Sequence, residues 1–139
     1  MDEKTIEELV KRAVLADLDG VEFIQDCSYA ELAAAYNGIG PEWLPGALRE
    51  KVTRYLALFE PAALIHDMRY AKGDGTQLAW QQANEEFRQN CRRLADAAYP
   101  WWNWRRYRAY AVAEALFDCV ETVGGLAAYQ SAVGSRQTK

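Results

Sequence analysis

Apolar residues recur at helical spacing along most of the chain. Ile6, Leu9, Val10, Ala13 and Val14 fall three or four apart and predict a first helix. Thr5-Ile6-Glu7-Glu8 reads as its capping box, and Gly20 as its stop. Residues 21 to 26 show no clear period and read as a connector. Ser28-Tyr29-Ala30-Glu31 is a second capping box, opening an alanine-rich helix that runs to Tyr36. Pro41-Glu42-Trp43-Leu44-Pro45-Gly46 is a turn, and Leu48, Val52, Tyr55, Leu56 and Phe59 predict a helix over about 47 to 58. Pro61 suits the first turn of a further helix carrying Ala62, Ala63, Leu64, Ile65, His66 and Tyr70, ending near Gly73-Asp74-Gly75. Thr76 caps the next helix, whose stripe is Leu78, Trp80, Ala83, Phe87, Cys91 and Leu94. Pro100 breaks the pattern. A last helix spans about 104 to 123, with Tyr107, Ala111, Val112, Leu116, Val120 and Val123 expected inward, and Gly124-Gly125 ends it.

No strand pattern, repeat or linker interrupts this series. The expectation is one all-α domain: an N-terminal helix and connector over 1–27, a core over 28–123 and a flexible tail over 132–139. Its 139 residues, half of them hydrophobic, suffice for a core of their own. No apolar run approaches a membrane span, and the charged start Met1-Asp2-Glu3-Lys4 is unlike a signal peptide, so a cytoplasmic location is expected. A net charge of −4 argues against a nucleic-acid partner. Cys27, Cys91 and Cys119 have no metal-like spacing and read as free thiols.

Candidate chemistry collects at two places. Tyr36-Asn37-Gly38-Ile39-Gly40 places glycines at alternate positions, where the backbone can turn several carbonyls toward one centre. A hard cation such as Ca²⁺ takes such oxygens together with a carboxylate, and Asp67 can supply one. His66, the only histidine, precedes Asp67 and lies four residues before Tyr70, so His66 and Tyr70 share a helix face. Asn84 falls on the apolar stripe of the next helix and needs partners there; His66 and Tyr70 are the natural ones. Such a bond would fix the imidazole tautomer and leave its other nitrogen able to take a proton from water. Each feature also has a plainer reading: a glycine-ended helix, and core polar groups that satisfy one another.

Tyr-x-Gly-x-Gly followed by His66-Asp67-Met68-Arg69-Tyr70 resembles the secreted phospholipase A2 superfamily over roughly residues 28 to 90. The resemblance implies a calcium-dependent hydrolase of the phospholipid sn-2 ester. The carbonyls of Tyr36, Gly38 and Gly40 and the carboxylate of Asp67 would bind Ca²⁺. Gly38 N–H would donate to the oxyanion, His66 would act as base, and Tyr70 and Asn84 would support it. The 30-position separation of Tyr36 and His66 is closer to the compact, cysteine-poor members found in viral capsid proteins and phage-associated proteins, which would allow particle association. Two departures stand out. Ala62-Ala63 replaces the cysteine pair before the histidine, and Ala83-Asn84-Glu85-Glu86-Phe87 carries Asn where compact members have Asp. The neutral Asn84 opens an alternative of another class: a non-enzymatic, phage-type structural or interaction module that keeps the scaffold.

Trp101-Trp102-Asn103-Trp104-Arg105-Arg106-Tyr107-Arg108 has two readings. Trp101, Trp102, Trp104, Arg105 and Arg106 form an anchor at a phospholipid membrane surface, or the aromatics plug the core at an inter-helix turn while the arginines stay solvated.

Overall fold

The computed structural model describes residues 2–36, 55–121, 129, 130 and 133. Within them lie six α-helices and no strand: α1 (Glu3–Leu15), α2 (Val21–Gln25), α3 (Tyr29–Ala35), α4 (Leu56–Ala71), α5 (Gln77–Ala98) and α6 (Trp104–Glu121). They pack as an all-helical domain. α5 is its spine, lying against α4 on one side and α6 on the other, while α1 and α3 cover α4.

Helix starts follow from side chains that satisfy the first free N–H groups. Ser28 accepts from Glu31 N–H at 3.1 Å and the Glu31 carboxylate accepts from Ser28 N–H at 3.3 Å, completing the expected box at α3. Thr76 caps α5 by accepting from Ala79 N–H at 3.1 Å. At α1 the expected Thr5 box gives way to Asp2, which accepts from Thr5 N–H at 2.7 Å and starts the helix at Glu3. A carboxylate facing the helix N-terminus also gains from the helix dipole, which a threonine hydroxyl does not.

Residues 21–25 form a short helix rather than the expected connector. Gly20, at φ 90°, turns the chain into it. A Cβ at Gly20 would sit 2.8 Å from Ile65 Cγ2, so only glycine allows this approach to α4. Just Ile24 is fully buried, and five residues are too few for periodicity to register. Asn90, fully buried on α5, holds the preceding connector: its Oδ1 accepts from Asp19 N–H and its amide donates to Asp19 carbonyl, both at 2.8 Å.

Pro61 does not open a helix; it lies inside α4. Proline has no N–H for the Ala57 carbonyl four residues back. Arg12 of α1 supplies the missing donor, reaching Ala57 carbonyl at 2.8 Å and Leu58 carbonyl at 3.2 Å. α4 is buried nearly all round, with Phe59, every residue from Pro61 to His66, and Met68 enclosed.

Three helix faces differ from the expected ones. Val14 and Leu78 are exposed despite fitting their stripes. On α6 the inward set is Ala109, Val112, Ala113 and Leu116, while Tyr107 and Ala111 face out. Four alanines and aromatics on both sides give this helix little amphipathic contrast, so its phase is set by packing on α5. Cys27 and Cys91 are buried and Cys119 is half-buried, and none of the three forms a disulfide. Among the described residues no helix is long and apolar enough to cross a membrane. The glycine loop beyond Tyr36, the turn at 41–46, residues 47–54 of the helix expected over 47–58, Val123, Gly124-Gly125 and most of the tail lie outside the described residues.

Candidate active site around His66

His66 sits two-thirds of the way along α4, on the face against α5, and is 7% exposed. A polar ring at that depth requires a partner. Asn84, fully buried on α5, provides it: Oδ1 lies 2.8 Å from His66 Nε2. The same oxygen accepts from the Tyr70 hydroxyl at 2.7 Å. The amide nitrogen of Asn84 reaches the Val120 carbonyl on α6 at 3.5 Å. That last contact sets the amide's orientation, because the reverse would bring two carbonyl oxygens together. The Asn84 oxygen thus receives two donors, so His66 carries its proton on Nε2 and leaves the Nδ1 lone pair open.

The surroundings hold this arrangement. Phe87, one turn along from Asn84, lies against the imidazole with ring centroids 5.0 Å apart, and the Tyr70 ring lies 4.2 Å from it. Burial pushes the Tyr70 phenol well above its ordinary range, which keeps it protonated and donating. Tyr129, absent from the expected site, packs edge-on to Tyr70 at 5.0 Å and is fully buried with Trp80 and Val133. Its hydroxyl accepts from Gly75 N–H at 3.0 Å. A Cβ at Gly73 would come within 2.2 Å of that hydroxyl, so a glycine is required there. No local pattern around Tyr129 marks it in the sequence; only the fold brings it over Tyr70.

His66 Nδ1 faces the Asp67 carboxylate, with 3.9 Å between them. Asp67 is mostly buried, its side chain 15% exposed. Tyr36, at the end of α3, is buried nearby; burial first, and then the charges of Glu60 and Asp67, raise its phenol. The start of the glycine loop and Asp67 therefore approach one region. At Tyr36 the chain leaves the helical conformation (φ −76°, ψ 111°). Among the described residues no group of three or more His, Cys, Asp or Glu side chains gathers. Asp67 offers one carboxylate here, an oxygen donor of the kind a hard cation takes. Gly38 and Gly40 lie outside the described residues.

The structure thus brings together His66, Tyr70, Asn84 and Asp67, with the Tyr36 phenol near enough to feel the Asp67 charge. It sets Trp101, Trp102, Trp104, Arg105 and Arg106 apart, at the turn between α5 and α6. The tryptophans there are exposed rather than plugging the core, and Arg106 is turned onto Asp96 and Tyr110. Elsewhere a cavity of about 420 Å³ opens beside the paired Arg69 and Glu86, clear of His66. No family model, curated protein or solved structure matches the chain.

Proposed function

We propose that this chain is a phospholipase A2-like hydrolase of phospholipid esters, with His66 as general base. The observation that carries the reading is the directed imidazole: Nε2–H is held by Asn84, and the open Nδ1 faces Asp67. In this reaction Nδ1 takes a proton from a water, and the oxygen so freed forms a bond to the ester carbonyl carbon. The tetrahedral centre then breaks its bond to the leaving alkoxide, which recovers the proton from His66. Asn84, itself held by Tyr70, keeps the ring from turning, and Phe87 packs against it. Tyr36, Gly38 and Gly40 carbonyls with the Asp67 carboxylate would hold Ca²⁺, and Gly38 N–H would face the oxyanion. Bound calcium would supply positive charge beside the carbonyl oxygen.

Asn84 favours a second reading. When His66 gains its proton, Asn84 answers with a dipole, where an aspartate would answer with a charge. An Asp-to-Asn change behind the histidine of a serine-protease triad costs about 10⁴ in rate. That loss would suit a degenerate relative: a non-enzymatic structural or interaction module built on the same scaffold.

Release of fatty acid from mixed phospholipid vesicles, with Ca²⁺ or with chelator, separates the two. The enzyme predicts calcium-dependent release that His66→Ala abolishes and Asn84→Asp raises about tenfold or more, charge-assisted bonds being roughly twice as strong as neutral ones. No release by native and Asn84→Asp proteins that remain folded would leave the scaffold reading alone.

A further inference from the structure

At the turn between α5 and α6 and the start of α6, Trp101, Trp102, Trp104 and Tyr107 are 72%, 69%, 57% and 52% exposed. The turn is well built. Asn103 N–H donates to Pro100 carbonyl at 2.9 Å, and Arg105 N–H donates to the Asn103 side chain at 3.0 Å. The Tyr107 hydroxyl closes it by donating to Trp101 carbonyl. Three indoles are therefore held in water by a fixed backbone, a placement that soluble surfaces avoid unless the patch has a partner.

The charges carried by this segment itself are of one sign. Residues 99 to 110 contain no acid. Arg105 and Arg108 lie over the Trp104 ring at 5.4 and 5.6 Å, and neither has a carboxylate partner among the described residues. Neighbouring Arg106 is neutralised by Asp96, and Arg88 and Arg92 by Glu114. A cationic tip on a chain of net charge −4 orients that tip toward an anionic surface.

We propose that this turn is an attachment surface for an anionic lipid bilayer, separate from the His66 site. Indoles settle at head-group depth, with ring faces toward acyl chains and N–H toward water, and each arginine beside them gains from anionic head groups. The exposed indole area is roughly 300–500 Å², taking about two-thirds of ~150–250 Å² per ring. That falls short of the ~800 Å² per partner of a standard protein interface, whereas a convex tip inserting a few rings needs no more. Fourteen residues of α5 separate Asn84 from Ala98, about 21 Å along the axis at 1.5 Å per residue. The attachment therefore stands whether or not His66 is catalytic.

Co-sedimentation with vesicles tests it, using phosphatidylcholine alone and phosphatidylcholine with phosphatidylglycerol, in chelator so that calcium-dependent hydrolysis plays no part. The native chain should bind the anionic vesicles, with a blue shift of tryptophan emission, and bind zwitterionic ones far less. The variant W101S/W102S/W104S should lose about tenfold or more in partitioning. R105Q/R108Q, at exposed positions that leave the indoles in place, should lose about tenfold on anionic vesicles at low salt. No binding by the native chain, or native-level binding by either variant, overturns the proposal. So does a concentration-dependent dimer in sedimentation that W101S/W102S/W104S abolishes while vesicles stay unbound, since the patch would then join two copies.

Discussion

The His66 seam and the Trp101 turn hang on the same helix, α5, and each reverses the usual placement of its residues. At the seam, a histidine and an asparagine are buried, the histidine against Phe87, and a tyrosine is partly buried against Tyr129. At the turn, three tryptophans stand in water. The reversals differ in what completes them. The seam is closed from within, because one oxygen of Asn84 serves both His66 and Tyr70 and only Nδ1 remains open. The turn is completed by nothing in the described structure. Buried polar groups therefore tie this fold's stability to its site, whereas the exposed indoles leave stability almost untouched and act only through what they meet.

Substitutions at the two regions should differ accordingly. Asn84→Leu keeps the volume but strands His66 Nε2–H and the Tyr70 hydroxyl. At about 1–3 kcal/mol per stranded buried group, stability should fall by about 4 kcal/mol in urea unfolding. A loss under 1 kcal/mol would mean that the seam is wet and the comparison fails. Gly73→Ala forces the Tyr129 hydroxyl away from Gly75 and should cost about 2 kcal/mol, the usual scale of overpacking. Tyr129→Phe should recover little of that loss, because ring carbons Cε1 and Cζ would still lie 2.5 and 2.7 Å from the added Cβ.

Tyr70→Phe should cost only about 1 kcal/mol, because Asn84 keeps its bond from His66. The same variant sharpens the pH dependence. Tyr70 and Tyr36 both titrate above the ordinary 10.0 in the folded chain. Their contribution is complete below pH 10 and is lost as pH rises toward their folded values, since the unfolded chain releases those protons first. Stability of the native chain should thus decline above pH 10, and more shallowly in Tyr70→Phe. An identical slope in both would remove Tyr70 from the buried seam. Smallest of all, Trp102→Ser should change stability by less than about 0.5 kcal/mol, as surface substitutions do. A larger loss would place that indole inside the fold.

How far the sequence foretold this depends on the range of the forces involved. The helix class, the Ser28 and Thr76 caps and the α5 stripe from Trp80 to Leu94 were legible, because caps and periodicity are local. So was the grouping of His66, Tyr70 and Asn84, since two residues four apart and one buried amide leave few partners. Pro61 misled because its local preference for a helix start lost to Arg12, a donor from 45 residues away. The phase of α6 and the position of Tyr129 are likewise set by packing between distant segments. The exposure of Trp101, Trp102 and Trp104 ran against the burial that aromatic residues usually seek, and only the direction of the turn decides it.

The central claim is that Asn84 directs the His66 ring, with the proton on Nε2 and the lone pair on Nδ1. The chain has one histidine, so a long-range ¹H–¹⁵N correlation spectrum contains a single imidazole and needs no assignment. Recorded near pH 8, where an unperturbed histidine is neutral, it should show a protonated Nε2 and an unprotonated Nδ1. In Asn84→Leu the ring nitrogens should average between tautomers. A native spectrum with the proton on Nδ1, or one already averaged, would contradict the directed base and the hydrolytic reading built on it.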